Sequence, residues 1–90
     1  MKTFLISYDL TNKTIFDYSK LITYIKSFNT WANPLESVWL IKTDATVMDI
    51  VNQIRTVTSA NDKILVIEVT NNWASFNLSK EVTNWMQQGL

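Results

Sequence analysis

With neither histidine nor cysteine in the sequence, the side chains of this protein best suited to metal chemistry are its carboxylates. That removes disulfides, thiolate zinc sites, cysteine nucleophiles and every serine or cysteine mechanism that uses an imidazole base. Gly89 is the single glycine, so neither a phosphate-cradling glycine loop nor a dinucleotide fingerprint can be present. Carboxylate chemistry survives, with or without a divalent cation held by oxygen ligands, alongside ligand binding and scaffolding. Asp9 is the carboxylate best placed for it, because it ends an apolar strand-like run and precedes the polar cluster Thr11, Asn12, Lys13. Such a carboxylate can bind a magnesium or manganese ion together with its mate across a two-fold axis and activate a water. It can equally be a turn-forming aspartate that hydrogen-bonds the loop backbone. Both readings stay open at this point, and a single carboxylate per chain needs a second one from a dimer.

The other acidic residues read as structural. Asp44, Asp49 and Asp62 fall at a helix start, in a first helical turn and in a turn before a strand, where a carboxylate caps or complements the helix dipole. Glu68 interrupts an apolar strand and is expected to pair with a lysine such as Lys42. The tryptophans Trp31, Trp39, Trp73 and Trp85 offer flat faces on which bases stack, although such residues more often fill cores and interfaces. Trp39 is expected within the sheet and Trp85 on a C-terminal helix. Trp31, beside Asn33, and Trp73, beside Asn71 and Asn72, are the ligand-contact candidates. Lys13, Lys20 and Lys26 form a candidate basic edge, with ordinary solvated helix lysines as the simpler reading.

The elements that must position these residues follow from periodicity. Thr3 to Asp9 predicts a strand, and Asp17 to Phe28 an amphipathic helix with apolar Tyr18, Leu21, Ile22, Ile25 and Phe28 and a cap from Asp17 or Ser19. Thr30 to Leu35, with the only proline at 34, suits an edge strand, and Val38 to Thr43 a stronger one. Thr46 to Val57 predicts a second helix, with Thr46 and Asp49 at capping-box spacing. Lys63 to Thr70 is a further strand. Trp73 to Leu78 reads as a short last strand, and Ser79 to Gln88 as a tail helix capped by Ser79.

The result is one α+β domain, residues 1–90, of the ferredoxin-like βαββαβ type: a core over 1–70 and a C-terminal strand and helix extension over 71–90. Two helices cover one sheet face, yet the strong strands are apolar on both faces. The second face therefore needs a cover, either the C-terminal segment or a second copy, and Trp73, Phe76 and Leu78 suit the first option. A domain of 90 residues gains from burial in an oligomer, so a homodimer to which the extension contributes is expected.

Eight basic and eight acidic residues leave no charge excess for tracking a phosphate backbone. The amino-terminal apolar stretch, Phe4 to Ile6, is too short for a signal peptide, and no run is long enough to span a bilayer, so a cytoplasmic protein without a membrane partner is expected.

Three segments resemble the small CRISPR-associated Cas-two proteins, particularly the short SinR-like/Cas-two-like group. They are Ser7-Tyr8-Asp9-Leu10, Ser37-Val38-Trp39 and Asp62-Lys63-Ile64-Leu65-Val66-Ile67, and the similarity runs over about Lys2 to Thr70. The resemblance implies a ferredoxin-like homodimer whose sheets face one another, with the strand-ending aspartates near the two-fold axis. It also implies metal-dependent phosphodiester cleavage or a non-catalytic scaffold role in spacer acquisition. Asp9 matches the family's metal-binding aspartate and Ser37 its serine, whereas Leu35 and Glu36 stand where basic or amide residues are common. The expected function is binding, as scaffold, accessory factor or receptor for a nucleotide-like ligand in defence or counter-defence, with a protein-interaction module that exposes the edge strand or tail helix as another reading. Asp9 is the catalytic and metal candidate, for Mg2+ or Mn2+ in an endonuclease reading. Tyr8, Asn12, Lys13, Trp31, Asn33 and Ser37 are the ligand-binding candidates. Nucleic acid, a nucleotide or a larger protein are the expected partners besides a second copy.

Overall fold

The computed structural model describes residues 1–11 and 15–90, with side chains for 1–11 and 18–90. The elements run β1 (Lys2–Asp9), α1 (Ile15–Lys26), β2 (Trp31–Leu35), β3 (Val38–Thr43), α2 (Val47–Ile54), β4 (Lys63–Val69) and α3 (Lys80–Gln87). The four strands form one sheet in the order β2-β3-β1-β4, with every neighbouring pair antiparallel. The described residues thus make a small α+β fold with a four-stranded antiparallel sheet and three helices.

Strand alternation sorts side chains between two apolar layers. Phe4, Ile6 and Tyr8 of β1, with Trp39 and Ile41 of β3, meet Leu21 and Ile25 of α1 and Ile50 and Ile54 of α2 in the larger core. The two helices are also tied by the Tyr24 hydroxyl, which donates to Gln53 Oε1 at 2.6 Å, and burial raises the Tyr24 pKa. On the opposite face Ala32, Leu40 and Met86 form a second core, joined by Leu5, Val69, Trp73, Leu78, Val82, Trp85 and Leu90.

The caps predicted for the second and the tail helix hold. Thr46 accepts from the Asp49 amide at 3.1 Å while Asp49 accepts from the Thr46 amide at 3.3 Å, closing the box that starts α2. Ser79 accepts from the Val82 amide at 3.2 Å and starts α3. At α1, however, the helix begins at Ile15, so Asp17 and Ser19 lie inside it rather than capping it.

The predicted last strand does not form: residues 73–78 are irregular and pair with no strand. Asn77 adopts φ 63°, a left-handed conformation that breaks extended pairing, and Phe76 is 87% exposed. Trp73 and Leu78 nevertheless pack into the second core, so this segment covers the sheet as an irregular strap of the same chain. Glu68 pairs with a lysine as expected, but the lysine is Lys2 and not Lys42. Glu68 lies 4.0 Å from Lys2, on the same face, whereas Lys42 is on the opposite face with its Nζ 4.9 Å from the Trp85 ring.

Candidate functional site

Asp9 ends β1 with its side chain exposed, opposite Lys63 in the β1–β4 register. The antiparallel β1–β3 pairing runs Ser7 against Val38, which brings the β2–β3 turn to the same end of the sheet. A cleft of about 430 Å³ opens there, lined by Tyr8, Asp9, Tyr18, Ile22, Glu36 and Ser37. Its aromatic wall is held in place from behind: the Trp39 indole donates to the Tyr8 hydroxyl at 3.3 Å, and the Tyr8 and Tyr18 rings are 6.1 Å apart at 58°. Asp9, Glu36 and Ser37 supply the polar rim.

The loop end behind this cleft is pinned by Asp62. Its carboxylate accepts from the Thr11 amide, the Thr11 hydroxyl and the Ser59 amide, each at 2.8 Å. These bonds, the backbone ones foremost, lower its pKa from 3.8 to about 2. Asp62 therefore joins the exit of β1 to the turn before β4, the structural role its position suggests. Asp49 is likewise structural, in its capping box, and Asp44 lies 3.7 Å from the Met1 amino group.

Of the ligand-binding candidates, the structure brings Tyr8 and Ser37 together with Asp9 and leaves Trp31 and Asn33 elsewhere. Asn12 and Lys13 lie outside the described residues. Trp31 and Asn33 line a separate groove of about 270 Å³ between β2 and α3, with Ser79, Val82 and Trp85 on its other wall. Trp31 is 5.5 Å from Trp39, and Lys26 Nζ sits 5.1 Å from its ring centre. The Asn33 amide is committed to the Leu35 and Val38 carbonyls at 2.6 and 2.8 Å, which shapes the hairpin. Trp73, the other tryptophan read as a ligand contact, is instead a packing residue of the second core. Trp39 is buried in the sheet as expected, and Trp85 on α3 donates to Thr30 Oγ1 at 2.8 Å.

Tyr18, Ile22 and Glu36 belong to the cleft without having been singled out as ligand residues. Tyr18 and Ile22 are one helical turn apart on the apolar stripe of α1, a spacing that marks a face toward the sheet but not a gap in it.

Among the described residues no three acidic side chains converge as a metal cage. Magnesium commonly takes one or two carboxylates and completes its shell with water. Asp9 and Glu36 are the two carboxylates that line the cleft. Among the described residues no helix is long and apolar enough to cross a membrane. No protein-family model, no curated protein and no solved structure matches this chain, so the functional reading rests on its own residues.

Proposed function

We propose that this protein is a Cas-two-like homodimer that acts mainly by binding, with the Asp9 cleft as the receptor for a small nucleotide-like ligand. The observation that carries this reading is the convergence of Tyr8, Asp9 and Ser37, from a strand end and a hairpin turn, on one cleft with an aromatic wall. A ferredoxin-like assignment is supported by the strand order β2-β3-β1-β4 with antiparallel neighbours and a helix in each of the two crossovers. Tyr18 offers a ring face for a base, and the carboxylates accept from ribose hydroxyls or exocyclic amines. Asp9 and Glu36 repel phosphate, so the phosphate end of the ligand points to solvent. Such a receptor suits a cytoplasmic scaffold or accessory factor in prokaryotic or phage defence or counter-defence.

Calorimetric titration with nucleosides, nucleoside monophosphates and short oligonucleotides tests the reading. Binding that weakens at least tenfold in Tyr18→Ala and in Asp9→Asn, with nucleosides retaining most of the affinity, is the expected result. Absence of binding by every ligand at millimolar concentration rejects it.

The shared position of Asp9 and Glu36 favours one further reading, a divalent-metal-dependent endonuclease. There the two carboxylates would hold Mg2+ or Mn2+, which would supply an activated water for phosphodiester hydrolysis. It requires cleavage of RNA or DNA that disappears both with chelator and in Asp9→Asn.

A further inference from the structure

The two edges of the sheet are built differently. β2 is five residues long, contains Pro34, shifts register between Ala32 and Leu35, and has α3 against it. Each of these blunts an edge against pairing with another chain. β4 is seven residues long, holds an unbroken register with β1, contains no proline, and among the described residues has no strand on its outer side. On its second face Leu65 and Ile67 are 57% and 50% exposed, although both are large and apolar.

The chain's own tail explains where that exposure falls. The strap at Trp73 and Leu78, with α3, covers the second face over β1, β3 and β2 and reaches only Val69 of β4. Face-to-face packing of two sheets, the arrangement implied by the Cas-two resemblance, would have to displace that strap. The strip that remains open lies along the β4 edge.

We infer that β4 pairs antiparallel with β4 of a second copy, across a two-fold axis at Val66, to make one continuous eight-stranded sheet. This rests on the homodimer proposed above and names its interface. A two-fold axis relating two antiparallel edge strands must stand perpendicular to the sheet, so each face continues into the same face of the mate. Centring the axis on Val66 pairs all seven residues of β4 with all seven of the mate. Leu65 then faces the partner's Ile67, and Ile67 the partner's Leu65, closing the exposed strip into one apolar cluster. The charges agree with a self-partner: Lys63 faces the partner's Val69 and Glu68 the partner's Ile64, so no like charges meet. Moving the axis to Leu65 would leave two residues unpaired at one end and set Ile67 against the partner's Lys63.

The arrangement has a consequence for chemistry. Asp9 is level with Lys63, three residues from the axis, and three strand spacings separate β1 from β1 of the mate. With ordinary strand rise and spacing the two Asp9 residues are about 25 Å apart. They cannot share one metal ion, so each Asp9 works only with Glu36 and the tyrosines of its own chain.

The protein has no cysteine, which makes single-cysteine scanning clean. Of Leu65→Cys, Val66→Cys and Ile67→Cys, only Val66→Cys brings a thiol opposite its own copy, within disulfide reach, when the axis is at Val66. The expected result is selective disulfide dimer formation by Val66→Cys under mild oxidation. Leu65→Lys should weaken the dimer at least tenfold in sedimentation velocity while leaving the circular dichroism spectrum unchanged. A wild-type dimer that survives Leu65→Lys, with no selective cross-link at 66, overturns this interface and leaves a homodimer through another surface. A wild-type monomer at 100 μM overturns both the interface and the homodimer, whereas the ligand titration judges the cleft independently.

Discussion

The two faces of the sheet are both apolar, yet they are covered in different ways. The first is roofed by α1 and α2, which connect consecutive strands on either side of it and bring Leu21, Ile25, Ile50 and Ile54 into full burial. The second is covered by a strap and α3 that follow the last strand, and there Met86 is the one buried side chain the cover contributes. Crossover helices are confined by the strands at both of their ends, so they lie across the whole width of their layer. A tail is fixed at one end only. It covers as far as its own side chains reach, and Leu65 and Ile67 remain outside.

Removing the tail is the severest way to probe the difference. Truncation after Thr70 takes away Trp73, Leu78, Val82, Trp85 and Met86 together. With about 1.5–3 kcal/mol for each side chain fully buried, and less for the partly buried ones, the loss is comparable with the whole stability of a small domain, about 5–15 kcal/mol. The truncated chain should be unfolded or aggregated at 25 °C by circular dichroism and gel filtration. A soluble fragment with an unchanged melting curve would show that the second face tolerates water.

A single cavity on the helix-covered face should cost less than the whole tail but more than any one residue of it. Ile41→Ala empties a fully buried position between β3 and the helices and should destabilise by about 2–5 kcal/mol. Leu78→Ala, in the half-buried strap, should cost about half as much by the same measure. Urea unfolding of the two variants gives the comparison, and equal losses would erase the distinction between a dry face and a strapped one.

The smallest effect concerns the sheet end that neither cover reaches. Asp62 has its pKa lowered to about 2 from 3.8, so its ionised form is stabilised in the folded chain. That stability is fully present above about pH 4 and is lost as pH falls toward 2. Because the carboxylate is half-exposed and screened, the contribution is about 1 kcal/mol. Asp62→Ala should therefore be less stable than wild type by about that amount at pH 6, with the difference fading on acidification to pH 2. A difference that is constant with pH would mean that the hydrogen bonds to Thr11 and Ser59 do not depend on the charge.

Much of this architecture is legible in residue order. Helical spacing marks α1, α2 and α3, strand alternation marks β1, β3 and β4, and Thr46 with Asp49 and Ser79 mark two helix starts within a residue. These features are local, since a capping box or an apolar stripe needs only its own few side chains. Trp73 to Leu78 misleads for the same reason: alternating bulk suggests a strand, but a strand exists only with a partner, and this segment has none. Glu68 does pair with a lysine, but with Lys2 rather than Lys42, because which lysine shares its face depends on strand parity across β1 and β3.

What the sequence determined by itself is the set of elements and the chemistry open to them: carboxylates without imidazole or thiol, and strands apolar on two sides. Tertiary structure alone decided that Tyr8, Asp9 and Ser37 meet Tyr18 and Glu36 in one cleft while Trp31 and Asn33 stand in another. It alone decided that the tail folds over its own sheet and stops short of Leu65 and Ile67. The physical reason is range. Periodicity and capping act over one or two turns of chain, whereas a cleft or a covered face is set by strand order and register among residues distant in sequence.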